Sequence, residues 1–438
     1  MSTHSGLRIL LIGRGGRESA IAWRLSQSAA VEKIFVAPGN GGTAAGIDKI
    51  SNVDDLYEDD YPALVKFAQE VKINLVVPGP DAPIVAGIEG YFRAANIPCF
   101  APSKEAAQVE GSKAFSKDFM ARHGVPTAEY RNFTDYEAAR QYVKSISHRV
   151  VIKASGLAAG KGVIVPETLE ETLEALKEIM LDRKFGDAGA EVVVEEFLEG
   201  DEVSILTFSD GHTFKSLPPA QDHKRIFDGD LGPNTGGMGC YSPAKIASQS
   251  ILEEISERIL KPTFDGLRKE GIPFVGLLFT GIMLTKSGPK TLEYNARFGD
   301  PETQTVLPLI SEKTDLAEVI LACVEGRLHE TEILIDDKSC AVVVIASGGY
   351  PGAYPQGKEI DINTRKGSED LLKSLNFFHA GTKLVENGKL VTAGGRVMAV
   401  SAVADSLEEA VKLAYTGVSM VNFEGMYCRR DIAHRALS

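Results

Sequence analysis

Val150-Val-Ile-Lys153-Ala-Ser-Gly-Leu-Ala-Ala-Gly-Lys161-Gly162 sets the expectation for the fold. An apolar, β-branched run ending in lysine predicts a strand that delivers one cation to a sheet edge. The glycines after it permit a mobile loop with Lys161 at its tip. Downstream, Val194-Glu195-Glu196-Phe197-Leu198 predicts a strand with an acidic end, and Glu202 follows it. Leu292-Glu293-Tyr294-Asn295-Ala-Arg297 predicts a further strand, with residues 293, 295 and 297 on one face. That face presents a carboxylate, an amide oxygen and a guanidinium.

In this order the pieces suit a nucleoside triphosphate. Lys113, Lys153 and Lys161 are candidate phosphate cations. The backbone of Glu195, Glu196, Phe197 and Leu198 is placed to read adenine, and Glu202 to accept from ribose hydroxyls. Glu293 and Asn295 offer the oxygen ligands that Mg²⁺ takes alongside water and phosphate.

Outward from this core, Leu7–Gly13 and Lys33–Ala37 predict strands flanking a helix over Ser19–Gln27, and Asn74–Val77 a third strand. Strands alternating with helices predict an open parallel sheet with ligand loops at the strand ends. Thr134 before Glu137, Thr168 before Glu171 and Ser406 before Glu409 are capping-box signals for helix starts. Leu169, Leu173, Leu176 and Met180 would share the buried face of the second of these helices. Three units are expected: a Rossmann-like sheet over 1–108, a central unit over 109–330 with a small α+β lid at about 125–198, and a C-terminal α+β unit over 331–438. The fold class is therefore α/β and α+β multidomain.

The chain has 438 residues, 44% hydrophobic and 24% charged, with a net charge of −13. That charge argues against nucleic-acid partners, which need clustered Lys and Arg. No apolar run reaches the ~18–20 residues of a membrane span. The start, Met1-Ser-Thr-His-Ser-Gly6, lacks the basic and apolar regions of a signal peptide. Five scattered cysteines, Cys99, Cys240, Cys323, Cys340 and Cys428, show no C-x-x-C spacing. They predict reduced, buried thiols and a cytoplasmic protein.

Gly13-Arg-Gly15-Gly16-Arg-Glu18 sits where a dinucleotide fingerprint would, but Glu18 replaces the third glycine. The second strand ends in Ala37-Pro38-Gly39, without the acid that would hold ribose hydroxyls. Both departures oppose an NAD-linked oxidoreductase. A single phosphate at the helix N-terminus remains compatible. The run Tyr427-Cys-Arg-Arg430-Asp431 fits either a substrate contact or a solvated end.

These parts resemble the ATP-grasp superfamily, and two further runs resemble one family within it. They are Gln221-Asp222-His223-Lys224-Arg225, continuing through Asp228-Gly229-Asp230 to Gly232-Pro233-Asn234-Thr235-Gly236-Gly237-Met238-Gly239, and Arg297-Phe-Gly-Asp300-Pro-Glu-Thr-Gln304. Both are similar to the phosphoribosylamine–glycine ligases, or glycinamide ribonucleotide synthetases. So are Gly13–Glu18, the Ala37–Thr43 run and Pro78-Gly79-Pro80-Asp81; the resemblance covers essentially the whole chain. It implies ATP-dependent joining of glycine to 5-phosphoribosylamine in purine biosynthesis, through glycyl phosphate, with Mg²⁺ or Mn²⁺. It implies that Asp222, Lys224, Arg297 and Asp300 orient glycine, its acyl phosphate or the amine, with Lys153, Lys161, Asp222, Arg297 and Asp300 the catalytic set. Gly15, Gly16 and Asn40 would face the sugar phosphate. His223 could serve as a base, but the amine can lose its proton to a carboxylate or phosphate, which favours a structural or hydrogen-bonding role. In some eukaryotic relatives this unit is the first part of a longer polypeptide with other purine-pathway activities. A different ATP-grasp ligase or carboxylase would keep the nucleotide residues and differ in the two family-specific runs. A binding module without catalysis would not need the intact lysine and Glu-x-Asn set.

Overall fold

The computed structural model describes residues 6–44, 46–158 and 161–437. Ala159 and Gly160 of the expected mobile loop lie outside the described residues, as does Met1–Ser5.

Strands β1 (Leu7–Gly13), β2 (Val31–Pro38), β3 (Ile50–Asn52) and β4 (Leu75–Pro78) form a parallel sheet in the order β3-β2-β1-β4. Ile9, Leu10, Leu11 and Ile12 on successive positions of β1 are all fully buried. An unbroken apolar run fits a strand covered on both faces, which parallel sheets require. Helix α1 spans Gly16–Ser26 and starts ahead of the expected Ser19. Glu18 explains the early start: its carboxylate accepts from the Gly15 N–H at 2.6 Å and closes the cap.

Helix α2 (Lys113–His123) leads into the lid: β5 (Tyr130–Phe133), α3 (Tyr136–Ser145), β6 (Val150–Ala154), β7 (Val163–Ile164), α4 (Leu169–Met180) and β8 (Val192–Glu196). The lid sheet is antiparallel, ordered β5-β8-β6-β7. Thr168 caps α4 by accepting from the Glu171 N–H at 3.2 Å. Two expectations are corrected here. Asp135, not Thr134, caps α3, accepting from the Ala138 N–H at 2.8 Å. On α4 the buried stripe is Thr172, Ala175, Leu176 and Ile179, while Leu169 is half exposed at 50%. Leu169 is the first residue of the helix.

Strands β9 (Asp201–Asp210), β10 (Phe214–Ser216), β15 and β16 build the central antiparallel sheet in the order β10-β9-β15-β16. Before β15 come the short pairs β11 (Gln221–Asp222), β12 (Arg225–Phe227), β13 (Leu231–Asn234) and β14 (Gly239–Ser242); β15 is Val275–Thr285 and β16 Gly288–Asn295. The Thr291 N–H donates to the Pro126 carbonyl at 2.7 Å, stitching the entry of the lid to β16. The two sheets thereby face each other across a cleft.

The C-terminal sheet is not built from the last hundred residues alone. Its order is β11-β14-β17 (Ser339–Ser347), then Arg396–Ala404, then Leu375–His379. β14 pairs antiparallel with β17, so the glycine-rich segment after Gln221 is hydrogen-bonded into the sheet that follows residue 339. Its helix, Leu407–Val418, is capped by Ser406, which accepts from the Glu409 N–H at 3.2 Å. All five cysteines are buried and free. No helix is long and apolar enough to cross a membrane among the described residues.

Candidate active site

A cavity of about 370 Å³ opens between the lid sheet and the central sheet. That volume lies in the range of small-molecule sites, about 300–1,000 Å³. Val151, Val163, Leu198, Met283 and Leu292 form its apolar part, flanked by the Glu195–Leu198 segment at the end of β8. Phe197 is fixed from behind by the Arg149 guanidinium, 4.2 Å from its ring centroid.

Lys113 and Lys153 both line the cavity. Lys113 opens α2, whose start is held because its own N–H donates to the Ser155 carbonyl at 2.8 Å. Burial lowers the Lys113 ammonium, with Glu293 opposing. Lys153 is the penultimate residue of β6 and donates to the Leu292 carbonyl at 3.2 Å. Its main partner is Glu195 at 3.0 Å. The same carboxylate holds Lys117 at 3.0 Å, so one acid bridges two cations. Glu195 and Lys117 are each only 2% exposed. Lys117 also donates to the Thr127 hydroxyl at 2.6 Å, and burial pushes its ammonium down to about 8 despite Glu195.

Lys117 was not singled out from the sequence. The signal was present: it stands four residues after Lys113, on the same face of a helix. Glu110, which was not singled out, also lines the cavity, as do Asp81 and Glu302, which the sequence marked only as parts of family-like runs without a role.

Glu293 and Asn295 both project from β16 into the cavity. Arg297 lies past the strand end, yet joins the same face by donating to the Asn295 amide oxygen at 3.0 Å. It also pairs with buried Glu110 at 3.3 Å. Burial works against the Glu293 carboxylate, but Lys224, Lys153 and Lys113 outweigh it and hold it below the usual range. It is therefore ionised, as a metal ligand must be. Among the described residues no group of three or more His, Cys, Asp or Glu is arranged for a metal. One carboxylate and one amide oxygen fit Mg²⁺ bound largely through nucleotide phosphate and water, and would not fit a metal needing an all-protein cage.

Asp222, Lys224 and Glu202 also line the cavity. Lys224 forms an ion pair with Glu202. Burial disfavours the Lys224 charge, but Glu202, Asp222 and Glu293 more than compensate, so it stays protonated. Asp222 and Glu302 are both buried and both raised, chiefly by burial; Glu202 and Glu293 add to the rise at Asp222 and Asp222 to that at Glu302, with Lys224 opposing both. The pair can hold a proton at neutral pH. His223 is fully buried, accepting from the Ala433 N–H at 3.1 Å through Nε2, and burial pushes it down to about 3. Its partners are those of a neutral structural imidazole.

Asp300 lines the cavity rim and is held below the usual carboxylate range; burial opposes this, but Arg396 and Arg17 prevail. Its Oδ1 stands 3.3 Å from Arg396, and its Oδ2 accepts from the Arg17 N–H at 3.3 Å.

Four sequence candidates fall outside the cavity wall. Lys161 is exposed. Gly15 caps α1 and Gly16 opens it, but the Gly15 and Arg17 N–H groups are already taken by Glu18 and Asp300. Glu18 fills the space behind the turn: a Cβ on Gly79 would meet its Oε1 at 1.9 Å. Asn40 is buried, and its amide donates to the Arg14 and His379 carbonyls at 2.9 and 3.0 Å. It ties the first sheet to the C-terminal strand Leu375–His379.

The chain matches the phosphoribosylglycinamide synthetase N domain over residues 7–110, its ATP-grasp (A) domain over 111–303 and its C domain over 340–435. It is 58% identical to a bifunctional purine biosynthetic protein of Schizosaccharomyces pombe, covering 98% of this chain and 54% of that protein. The chain thus spans about half the length of that relative. A phosphoribosylamine–glycine ligase of Escherichia coli is 46% identical over 98% of this chain and 99% of its own. Among solved structures, a phosphoribosylamine–glycine ligase from Thermotoga maritima superposes with a TM-score of 0.83 at 34% identity, covering 98% of this chain and 100% of that one.

Proposed function

This chain belongs to the phosphoribosylglycinamide synthetase family, and we propose that it joins glycine to 5-phosphoribosylamine at the expense of ATP, giving glycinamide ribonucleotide, ADP and phosphate. The observation that carries the reading is the convergence of Lys113, Lys153, Glu293 and Asn295 with Asp222 and Lys224 on one cavity. It supplies cations for a triphosphate and further charged groups for an amino acid.

Glycine's carboxylate attacks the γ-phosphorus, ADP leaves, and glycyl phosphate forms. The amine of phosphoribosylamine then attacks the acyl carbon and phosphate departs. Such transfers depend on positioning and charge neutralisation rather than a protein nucleophile. Lys113 and Lys153 neutralise phosphate oxygens, and Lys161 joins them when the lid closes. Glu293 and Asn295 would hold Mg²⁺ or Mn²⁺, which when bound offsets charge on the phosphates. Glu195–Leu198 lend their backbone to adenine, and Glu202 accepts from ribose. Arg297 and Lys224 orient the carboxylate and the acyl phosphate. Asp222, paired with Glu302, takes the proton the amine loses. Asp300 fixes the rim. Gly15, Gly16 and Asn40 shape the sugar-phosphate side by holding the turn rather than by free amides.

The division at 1–108, 109–330 and 331–438 is part of this proposal, as is a cytosolic setting suited to buried reduced thiols. So is the presence of further purine-pathway units beside this one on a longer chain. Hydroxylamine trapping tests the chemistry: Mg-ATP with glycine, and no amine, should yield glycine hydroxamate. Its absence while ADP is released would reject glycyl phosphate.

A further inference from the structure

Arg429 lies in the run left open between a substrate contact and a solvated end, and its place in the fold is neither. It is fully buried and absent from the cavity wall. Its guanidinium points at the hairpin formed by β12 and β13. Nη1 donates to the Arg225 carbonyl at 3.1 Å and to Asp230 Oδ1 at 2.9 Å. Nε and Nη2 donate to the two oxygens of Asp431, each at 2.8 Å. Asp431 in turn accepts from the Gly229 N–H at 2.8 Å.

The neighbours of Arg429 grip the same hairpin. The Tyr427 hydroxyl donates to the Ile226 carbonyl at 2.9 Å, and the Arg430 N–H to Asp228 at 2.8 Å. Arg435 reaches Asp230 Oδ2 at 2.7 Å. Within the hairpin, Gly229, Asp230 and Gly232 have φ of +67°, +56° and +78°. Left-handed backbone at a non-glycine residue persists where its surroundings over-determine it. The buried guanidinium supplies that constraint.

The hairpin connects two parts of the cavity wall. Asp222 and Lys224 precede it, while Asn234, Thr235 and Gly236 end it. The Thr235 N–H donates to the Lys224 carbonyl at 2.7 Å, so a shift of the hairpin moves both sides together. We propose that Arg429 is a positioning residue: through Asp230 and Asp431 the C-terminal segment 426–435 holds the hairpin, and thereby Asp222, Lys224 and Thr235, in register with the nucleotide side of the cavity. The inference rests on the reading that this wall orients glycine and the amine.

The test uses the full chain with Arg429→Lys, and with Asp230→Asn, which removes one arm of the clasp at a partly exposed position. Three quantities are measured: the Kd for Mg-ATP, the KM for glycine and for phosphoribosylamine, and amide hydrogen exchange over 225–236. Positioning predicts an ATP Kd within about twofold of the parent and KM values raised at least about tenfold in Arg429→Lys. Asp230→Asn should give a smaller rise, with faster exchange confined to the hairpin. Unchanged KM values and unchanged hairpin exchange in folded Asp230→Asn would overturn the proposal. So would ATP affinity falling in step with the KM values, the mark of a general structural loss. Should the parent chain show no glycine-dependent turnover, the functional reading fails, and hydrogen exchange alone still decides the clasp.

Discussion

Replacing Glu195 with Gln removes the one carboxylate between Lys117 and Lys153, each 3.0 Å from it, while keeping its shape. Burial already lowers Lys117 to about 8, with Glu195 the first group opposing that fall. In the variant Lys117 drops below neutrality and sheds its proton. At pH 7 this adds only the interval between pH 8 and pH 7, about 1.4 kcal/mol, because a neutral amine suffers no further penalty. Lys153 keeps the Leu292 carbonyl but loses its buried ion-pair partner. The expected deficit is about 3–5 kcal/mol, the range for a buried pair losing one partner. Its pH dependence is the diagnostic. Between pH 7 and 8 the folded parent keeps the Lys117 proton, as does its unfolded state, so stability is flat in this group. The folded variant has already released that proton while its unfolded state holds it, so stability rises with pH. The deficit should narrow by about 1.4 kcal/mol from pH 7 to pH 9. Urea unfolding of both proteins at the two pH values measures it. A deficit under about 1 kcal/mol, or one equal at both pH values, would refute the bridging role.

Glu293→Ala should lower kcat about 10²–10³-fold, the scale of losing one preorganised electrostatic contact; a near-parental rate at saturating Mg²⁺ would remove Glu293 from the metal site. Lys153→Met should depress kcat/KM for ATP by a similar factor with the lid sheet intact by hydrogen exchange, and unchanged ATP kinetics would exclude Lys153. His223, pushed down to about 3 by burial, stays neutral in the fold while the unfolded chain gains a proton below about 6.5. That part of the stability is present above pH 6.5 and is lost as pH falls, about 2 kcal/mol by pH 5. His223→Gln should therefore lose about 2 kcal/mol less than the parent between pH 7 and pH 5 in urea unfolding; equal acid sensitivity would contradict the assignment.

The elements most legible in the sequence are those whose signal is local. The strand carrying Lys153, the Thr168 and Ser406 caps and the alternation through Glu293 and Asn295 each depend on residues within a few positions. What escaped depends on contacts distant in the chain. Thr134 and Asp135 are both good caps, and only the backbone geometry at the helix start selects Asp135. Glu18 marked a departure from a dinucleotide loop, but its partner space at Gly79 is sixty-one residues away. Lys117 acquires its role from Glu195 across the lid, and Arg429 from a hairpin two hundred residues earlier. The sharing of β14 with the C-terminal sheet has the same character: nothing local in Gly239–Ser242 announces pairing with Cys340–Val343.

The central claim is a ligation that needs all three substrates, and ADP release with product analysis tests it most directly. With Mg-ATP and freshly prepared phosphoribosylamine, the account predicts ADP release strictly dependent on glycine and matched one for one by glycinamide ribonucleotide. Release independent of glycine, or none with all three present, would contradict it and leave the cavity to a different carboxylate and amine.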